Sequence, residues 1–206
     1  MSGAPDIRTQ TVIIGGGLSG LALALHLEQA GHHYQLIEAR PRVGGRIAAW
    51  EVQGARFDLG PSWIWPGQTR IETLLDRLGL RTTPQWSAGH GLFEQADGQV
   101  LRGAGYVSMA GALRIKGGGQ ALVTALVDRL DPARLHLNAR VTQIEKGGRV
   151  QIADGRAIGA QRIVLALPPR LAADLTYVPT LPPAAMQAMR QIPNRMAGHA
   201  MFTAVY

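Results

Sequence analysis

The first fifty residues combine two apolar runs with a glycine-rich turn between them. The run over residues 12–14 has the continuous apolar character of a buried strand. Leucines and alanines then recur at helical spacing as far as Gly31, where a helix would end. Residues 34–37, YQLI, predict a second strand. Residues 8–47 therefore predict a strand–helix–strand unit of an α/β fold.

Similar patterns predict further elements along the rest of the chain. They are a hairpin over 50–58, a helix through 71–78 that ends at Gly79, short strands at 92–94 and 99–102, a helix over 120–130, strands at 141–144, 150–152 and 163–167, and a helix over 182–189. Alternating strands and helices of this kind favour a sheet covered by helices.

Three glycines at a fixed spacing lie in the first turn, where the strand leads into the helix. They form the pattern G-x-G-x-x-G. Gly15 permits a tight turn, Gly17 lets the backbone approach a phosphate, and Gly20 lets the helix pack closely on the strand. Because the positive end of a helix favours an anion, the turn predicts a dinucleotide site that binds the pyrophosphate.

An acidic residue follows the second predicted strand. Glu38 lies about 20 residues beyond the glycines, where a carboxylate can accept hydrogen bonds from both hydroxyls of an adenosine ribose. A chance glycine-rich turn is the alternative interpretation of the glycines alone. The order strand, helix, strand and acid argues against that alternative.

The segment after Glu38 favours a flavin over a nicotinamide cofactor. Residues 39–47, ARPRVGGRI, contain three arginines and the Gly44-Gly45 pair, where a nicotinamide-dependent dehydrogenase would usually continue into another helix. In this segment the sequence resembles the flavin-containing amine oxidases, whose second fingerprint is a G-G-R after the ribose acid. Later segments are similar to the same family in the same order: residues 57–65, 115–130, 135–145 and 162–171.

The resemblance implies an α/β architecture, with a Rossmann-like FAD-binding domain and part of a second, mixed α+β substrate domain. We expect residues 1–84 to form the first part of the FAD-binding domain and residues 85–116 to begin the substrate domain. Residues 117–172 would complete the FAD-binding domain, and residues 173–206 would add an incomplete part of the substrate domain.

The cofactor that the resemblance implies is FAD. The residues that it assigns to FAD are Gly15, Gly17, Leu18, Ser19 and Gly20 at the pyrophosphate, Glu38 at the ribose, Ala39, Arg40, Gly44, Gly45 and Arg46 beside the phosphates and flavin, Gly60, Pro61, Ser62 and Trp63 against the ring, and Val141 on the adenine side. Arg40, Arg42 and Arg46 lie where a pyrophosphate needs positive charge.

Trp63 and Trp65 are separated by one residue, so in an extended segment their side chains share a face. One of them could contact the flavin or the substrate, or both could fill the core. No protein acid or base is assigned to catalysis. The reaction that the resemblance implies is hydride transfer from the C–N bond of a small-molecule amine to flavin, and there the cofactor carries the electrons.

The end of the chain departs from the family pattern. Many relatives have a lysine near the flavin N5, where this sequence has Met201, so reaction with oxygen is in question. A register shifted by one residue, or a subgroup that lacks the lysine, would explain the same difference. Residues 196–206 are an apolar run that predicts a strand of the substrate domain.

The length of 206 residues is short for this family. We expect a fragment, a truncated product, or one subunit of a split enzyme whose missing C-terminal half comes from a second chain. Three hypotheses follow: a flavin-dependent amine oxidoreductase, a non-catalytic FAD-binding chain, and a nicotinamide-dependent dehydrogenase, against which residues 39–47 argue.

Composition narrows the functional classes further. Hydrophobic residues make up 46% and charged residues 17%, as in a globular protein. The absence of cysteine excludes disulfides and cysteine-ligated metals, and the histidines show no metal-binding spacing. The net charge of +7 comes from scattered arginines without a nucleic-acid motif, so no nucleic-acid partner is expected. We expect no membrane span and a cytoplasmic location.

Overall fold

A computed structural model describes residues 6–103, 109 and 111–193 of the chain. Contacts divide these residues into two compact units. The first contains the described residues up to Ala48 and from Val123 onward, and the second spans Ala49–Leu122. The first unit is therefore discontinuous in sequence, because the second is inserted into it.

The described residues form thirteen strands and five α-helices. The strands are β1 (Ile7–Ile14), β2 (Tyr34–Ile37), β3 (Ala49–Val52), β4 (Ala55–Asp58), β5 (Thr82–Pro84), β6 (Gly91–Glu94), β7 (Val100–Gly103), β8 (Leu113–Ile115), β9 (Leu135–His136), β10 (Val141–Glu145), β11 (Arg149–Ile152), β12 (Ala157–Leu165) and β13 (Thr176–Val178). The helices are α1 (Leu18–Gln29), α2 (Thr69–Leu78), α3 (Gly118–Val127), α4 (Pro169–Ala172) and α5 (Pro183–Gln191).

A seven-stranded sheet organises the first unit, in the order β13-β10-β11-β12-β1-β2-β9. Strand β1 pairs in parallel with β12 on one side and with β2 on the other, and β9 continues in parallel beside β2. Strand β11 is antiparallel to both of its neighbours. The carboxyl ends of the four parallel strands meet at one edge of the sheet, which is where open α/β sheets bind ligands.

The core of the first unit lies against the centre of this sheet. Val12 and Ile13 of β1 are fully buried, which explains why the strand is apolar at consecutive positions. Leu21 and Leu25 provide the buried face of α1. Helix α1 ends just before Gly31, whose φ of 68° is a left-handed conformation that favours glycine.

An ion-pair network joins the end of α1 to β2. The Tyr34 hydroxyl donates to Glu28 Oε2 at 2.7 Å, and an Arg134 nitrogen lies 3.3 Å from the other oxygen of that carboxylate. Arg134 also lies over the Tyr34 ring, 5.2 Å from its centroid. Burial, followed by the hydrogen bond to Glu28, raises the pKa of Tyr34. Burial and Glu28 therefore favour the neutral form of the phenol, against the opposing charge of Arg134.

The second unit is built from paired strands and helix α2. Its three two-stranded sheets pair β3 with β4, β5 with β8, and β6 with β7, all antiparallel. Helix α2 turns its buried side chains Leu75 and Leu78 inward and ends at Gly79, which has a φ of 71°. An isolated bridge between Ile64 and Leu113 links the loop after β4 to β8.

The fold class is confirmed as α/β with a Rossmann-like parallel sheet. Most predicted elements are present, but several bounds differ. Strand β12 starts six residues before the predicted 163, and α3 starts inside the glycine run rather than at residue 120. The domain boundaries at 84, 116 and 172 stay a prediction.

Two expectations concern residues outside the described part of the chain: the strand over 196–206 and the role of Met201. None of the helices in the described chain has the length and the apolar character that crossing a bilayer requires.

Candidate functional site

Two glycines of the first motif, Gly15 in the turn after β1 and Gly20 in α1, leave no room for a side chain. Gly15 has a φ of 112°, and its N–H donates to the Ile37 carbonyl at 2.8 Å. A Cβ at Gly15 would lie 2.6 Å from the Ala166 carbonyl oxygen, and a Cβ at Gly20 would lie 2.0 Å from the Gly15 carbonyl oxygen. Both positions therefore require glycine for reasons internal to the fold.

Gly17 differs from its two neighbours in the motif. Its φ of −74° suits any residue, and apart from its neighbours in the chain no protein atom lies within 4 Å of where a Cβ would be. The fold itself therefore does not require a glycine at this position. The open space beside Gly17 is a cradle that a side chain would fill, as expected where a phosphate approaches the backbone.

Helix α1 begins directly after this open space. Its N-cap is Gly17, no side chain caps it, and its first turn contains no acidic residue. Leu18 is half-buried and Ser19 is exposed. The N–H groups of the first helical turn have no partner within a helix, and the helix dipole places partial positive charge on them. This helix start suits an anionic group.

Glu38 follows β2 at the same edge of the sheet and points back to the glycine turn. Its Oε2 accepts a hydrogen bond from the Gly16 N–H at 2.8 Å, and its Oε1 accepts one from the Arg40 N–H at 2.9 Å. A carboxylate offers about four acceptor sites, so two remain for hydroxyl groups. The exposed residues Ala39 and Arg40 continue from it.

The Gly44-Gly45 pair packs directly on the first glycine motif. The Gly44 N–H donates to the Gly16 carbonyl at 2.8 Å, and a Cβ at Gly45 would lie 3.1 Å from the Cα of Gly17. Both glycines of the pair have positive φ, 96° and 58°. The structure therefore brings together two motifs that lie nearly thirty residues apart.

The Arg42 side chain binds the backbone of its own loop. Its guanidinium donates to the carbonyl oxygens of Val43 and Gly45, each at 3.2 Å, and of Ile47 at 3.4 Å. The interpretation of Arg42 as a phosphate-neutralising side chain stays a prediction, because a guanidinium that donates to carbonyl oxygens keeps its positive charge. Arg40 and Arg46 are exposed beside the same loop.

Sequence reasoning missed Gly16. Its N–H binds Glu38, its carbonyl accepts from Gly44, and a Cβ there would lie 3.0 Å from a methyl group of Val43. The available signal was that residues 15–17 are three consecutive glycines although the motif requires only the outer two. Gly16 is the residue on which both motifs converge.

Val141 begins β10, and its side chain is buried in the core of the first unit. The register of β10 against β11 shifts between Val141 and Gln143.

His136 is the last residue of β9. Its pKa is lowered by burial and, to a smaller extent, by the positive charge of Arg156. The carbonyl of His136 accepts the Glu38 N–H at 2.8 Å.

The predicted ring-side residues Gly60, Pro61, Ser62 and Trp63 lie in the second unit, in the loop after β4. The Ser62 hydroxyl donates to the Gly60 carbonyl at 3.1 Å, and the Trp63 indole N–H donates to Gln85 Oε1 at 3.0 Å. Trp63 is 42% and Trp65 39% exposed, whereas Ile64 between them is buried. The alternative in which both tryptophans fill the core is therefore wrong.

A sequence-family model for flavin containing amine oxidoreductases matches residues 18–105 and 88–203, which together make up most of the chain. Putrescine oxidase of Kocuria rosea is 39% identical over 92 residues, which are 45% of this chain and 19% of that protein. Human amine oxidase [flavin-containing] B is 42% identical over 76 residues, 36% of this chain and 15% of that protein. The matched parts of these relatives are thus a small share of their length.

Solved structures show a likeness of fold. Putrescine oxidase bound to putrescine superimposes with a TM-score of 0.79 at 21% identity, over 89% of this chain and 63% of that chain. Cyclohexylamine oxidase from Brevibacterium oxydans IH-35A gives a TM-score of 0.78 at 20% identity, over 88% and 62%. The chain therefore spans less than two thirds of each of these structures.

Proposed function

Because this chain belongs to the flavin-containing amine oxidoreductase family, we propose that it is the FAD-binding part of an enzyme that removes hydride from the C–N bond of a small-molecule amine. FAD is the cofactor of this family, which decides against the nicotinamide-dependent alternative. One observation carries the proposal. The space beside Gly17 is open at an uncapped helix start, and the Glu38 carboxylate is tied to the same turn.

The pyrophosphate of FAD would bind at the start of α1. The backbone N–H groups of Leu18, Ser19 and Gly20 are the first of the helix, and together with the Ser19 hydroxyl they would donate to phosphate oxygens. Gly17 would let the backbone approach the phosphates closely, whereas Gly15, Gly44 and Gly45 fit the tight packing of the turn and loop around it. The exposed guanidinium groups of Arg40 and Arg46 would add positive charge.

The adenosine would bind beside Glu38. Its two carboxylate oxygens are oriented by the Gly16 and Arg40 N–H groups, and their remaining lone pairs would accept hydrogen bonds from the ribose hydroxyls. The exposed backbone at Ala39 would flank the phosphates. We assign the adenine contact to the backbone of Val141 from the family likeness, since its side chain is in the core.

We assign Gly60, Pro61, Ser62 and Trp63 to the flavin ring, also from the family likeness. The exposed Trp63 indole, with its N–H bound to Gln85, supports this assignment because an aromatic face remains available. When bound, the flavin supplies the hydride acceptor, and the protein orients the substrate and limits the access of water. In this proposal the described residues hold the cofactor, and no described residue is assigned as a catalytic acid or base.

The alternative function is a non-catalytic or truncated FAD-binding chain that acts as one subunit of a split enzyme. The exposed apolar side chains of the second unit include Trp86, which is 81% exposed, and Leu92, which is 71% exposed. A second chain that supplies the C-terminal half of the family fold would bury such residues. The substrate and the partner are both proposals, because the chain spans only part of its relatives.

The test is to purify the chain and titrate it with FAD and with ADP while following flavin fluorescence and the visible spectrum. Bound flavin that ADP displaces and an amine bleaches under anaerobic conditions would support the enzyme. Bound flavin that no amine reduces would support the non-catalytic alternative. A chain that binds neither FAD nor ADP would overturn the proposal.

A further inference from the structure

The loop after β4 is tied at both ends to one continuous segment of the second unit, β8 and the start of α3. At its first end, Asp58 Oδ1 accepts the Gly119 N–H at 2.8 Å. At its far end, Ile64 and Leu113 exchange two backbone hydrogen bonds, each of 2.8 Å. Residues 59–63 are therefore closed off as a loop whose two ends share one support.

The carboxylate at the first end is buried. The Asp58 side chain is only 4% exposed, and its Oδ2 lies 3.7 Å from a guanidinium nitrogen of Arg114, which is partly exposed. A buried carboxylate is costly unless it is hydrogen-bonded and near positive charge. Asp58 has both, because the start of α3 adds the positive end of a ten-residue helix to the Arg114 charge.

The glycine run before α3 makes room for this carboxylate. Gly118 has a φ of 75°, and a Cβ there would lie 2.8 Å from Asp58 Oδ1. No larger residue could therefore start α3 while Asp58 keeps its hydrogen bond to Gly119. The residues that meet here are 61 positions apart in sequence, so the contact is a tertiary one.

We propose that Asp58 is a positioning residue: its carboxylate, clamped on the start of α3, sets the conformation of the loop 59–63 that carries Gly60, Ser62 and Trp63. The clamp itself is independent of any cofactor. Its consequence for flavin binding rests on the proposed function, because only that proposal assigns the loop to the flavin ring.

The clamp can be tested without a cofactor through Trp63. Replacing Trp50, Trp65 and Trp86 with Phe leaves Trp63 as the only tryptophan of the chain. In this background Asp58→Ala should raise the acrylamide quenching of Trp63, by at most somewhat more than twofold because its ring is already 42% exposed. Asp58→Asn should give a smaller increase, since its amide oxygen can still accept from Gly119.

Asp97→Asn is the matched control. Asp97 Oδ1 also accepts a backbone N–H, that of Gln99 at 3.0 Å, but in the exposed turn between β6 and β7. The quenching of Trp63 should not change in this variant. An Asp58→Ala protein that keeps its circular dichroism and the original Trp63 quenching would overturn the inference.

Two further measurements cover a variant that fails to fold. In the unmodified chain, the Gly119 amide should exchange with deuterium at least tenfold more slowly than its intrinsic rate, because Asp58 holds it. Exchange at the intrinsic rate would refute the clamp. Asp58→Asn removes the negative charge that faces Arg114 and the positive end of α3, so it should hold the loop less firmly even though it keeps the hydrogen bond from Gly119. In this variant FAD affinity should fall at least threefold while ADP affinity stays unchanged, because ADP lacks the flavin that the loop would contact.

The outcomes separate the two ideas. A purely structural role for Asp58 would lower the ADP and FAD affinities together, or neither, and would contradict positioning. If the unmodified chain binds no FAD, the proposed function fails, while the response of Trp63 to Asp58→Ala still decides whether the clamp exists.

Discussion

A substitution at Gly17 can distinguish the requirements of the fold from those of ligand binding. We expect Gly17→Ala to leave the fold intact and to weaken binding of ADP and FAD. The added methyl group meets no protein atom within 4 Å, and a φ of −74° is accessible to alanine. The substituent would instead occupy the open space at the start of α1, where a phosphate would lie.

The magnitudes follow from the geometry. Alanine is a poorer N-cap than glycine by up to about 1 kcal/mol. Alanine also lowers the conformational entropy of the unfolded chain, which stabilises the fold by about 0.4 to 1 kcal/mol. The free energy of unfolding should therefore change by less than about 1 kcal/mol. Displacing a phosphate from one or more backbone N–H groups should cost about 1.5 to 3 kcal/mol of binding free energy. The Kd for ADP should therefore rise roughly 10- to 100-fold.

The assay pairs urea unfolding with an ADP titration by calorimetry. Gly20→Ala is the contrasting variant, because its methyl would lie 2.0 Å from the Gly15 carbonyl oxygen and should destabilise the fold by about 3 kcal/mol. Gly54→Ala is the control for strain alone, since Gly54 has a φ of 77° and an open Cβ position in the β3–β4 turn. Unchanged ADP affinity in a folded Gly17→Ala protein would refute the assignment of this turn.

Three further predictions concern the same unit. Glu38→Gln should weaken ADP binding about tenfold, since an amide has one acceptor oxygen instead of two; an unchanged Kd would contradict the ribose assignment. Arg42→Ala should lower the free energy of unfolding by about 1 kcal/mol, because it removes hydrogen bonds to three loop carbonyls, whereas Arg46→Ala should not. Equal effects of the two variants in urea unfolding would contradict a stabilising role of Arg42 in its loop. Burial, then Arg156, lowers the pKa of His136, so the unfolded chain takes up a proton that the folded chain resists. The free energy of unfolding should therefore fall as the pH drops below about 6.5 and level off below the pKa of His136 in the folded chain. His136→Gln should remove this part of the pH dependence measured by urea unfolding, and an unchanged pH dependence would contradict the prediction.

Much of this fold could be predicted from patterns of neighbouring residues in the sequence. Residues 34–37 were predicted as a strand with the bounds that β2 has, because three of its four side chains are large and apolar and are buried in the sheet. The ends of α1 and α2 near Gly31 and Gly79 were equally local, since both glycines have positive φ. The predicted hairpin over 50–58 corresponds to β3 and β4.

The parts that could not be predicted depend on contacts between distant residues. Strand β9 has only two residues, and β13 only three, so their place beside β2 and β10 leaves no periodicity to detect. Neighbouring residues in the sequence likewise do not reveal that Asp58 is buried against Gly119, or that the Arg42 guanidinium donates to backbone carbonyls. A charged side chain near a glycine pair looks the same in sequence whether it faces a ligand or its own loop.

The pairing of β1 with β12 also constrains how the chain can be made. Ile7 of the first strand pairs with Ile158, so the partner of that edge is synthesised 151 residues later. At about 5 to 20 residues per second, a ribosome would leave this edge of β1 uncovered for roughly 8 to 30 seconds. The nascent chain should therefore depend on chaperones during that interval, and slowing translation between the two strands should increase its aggregation.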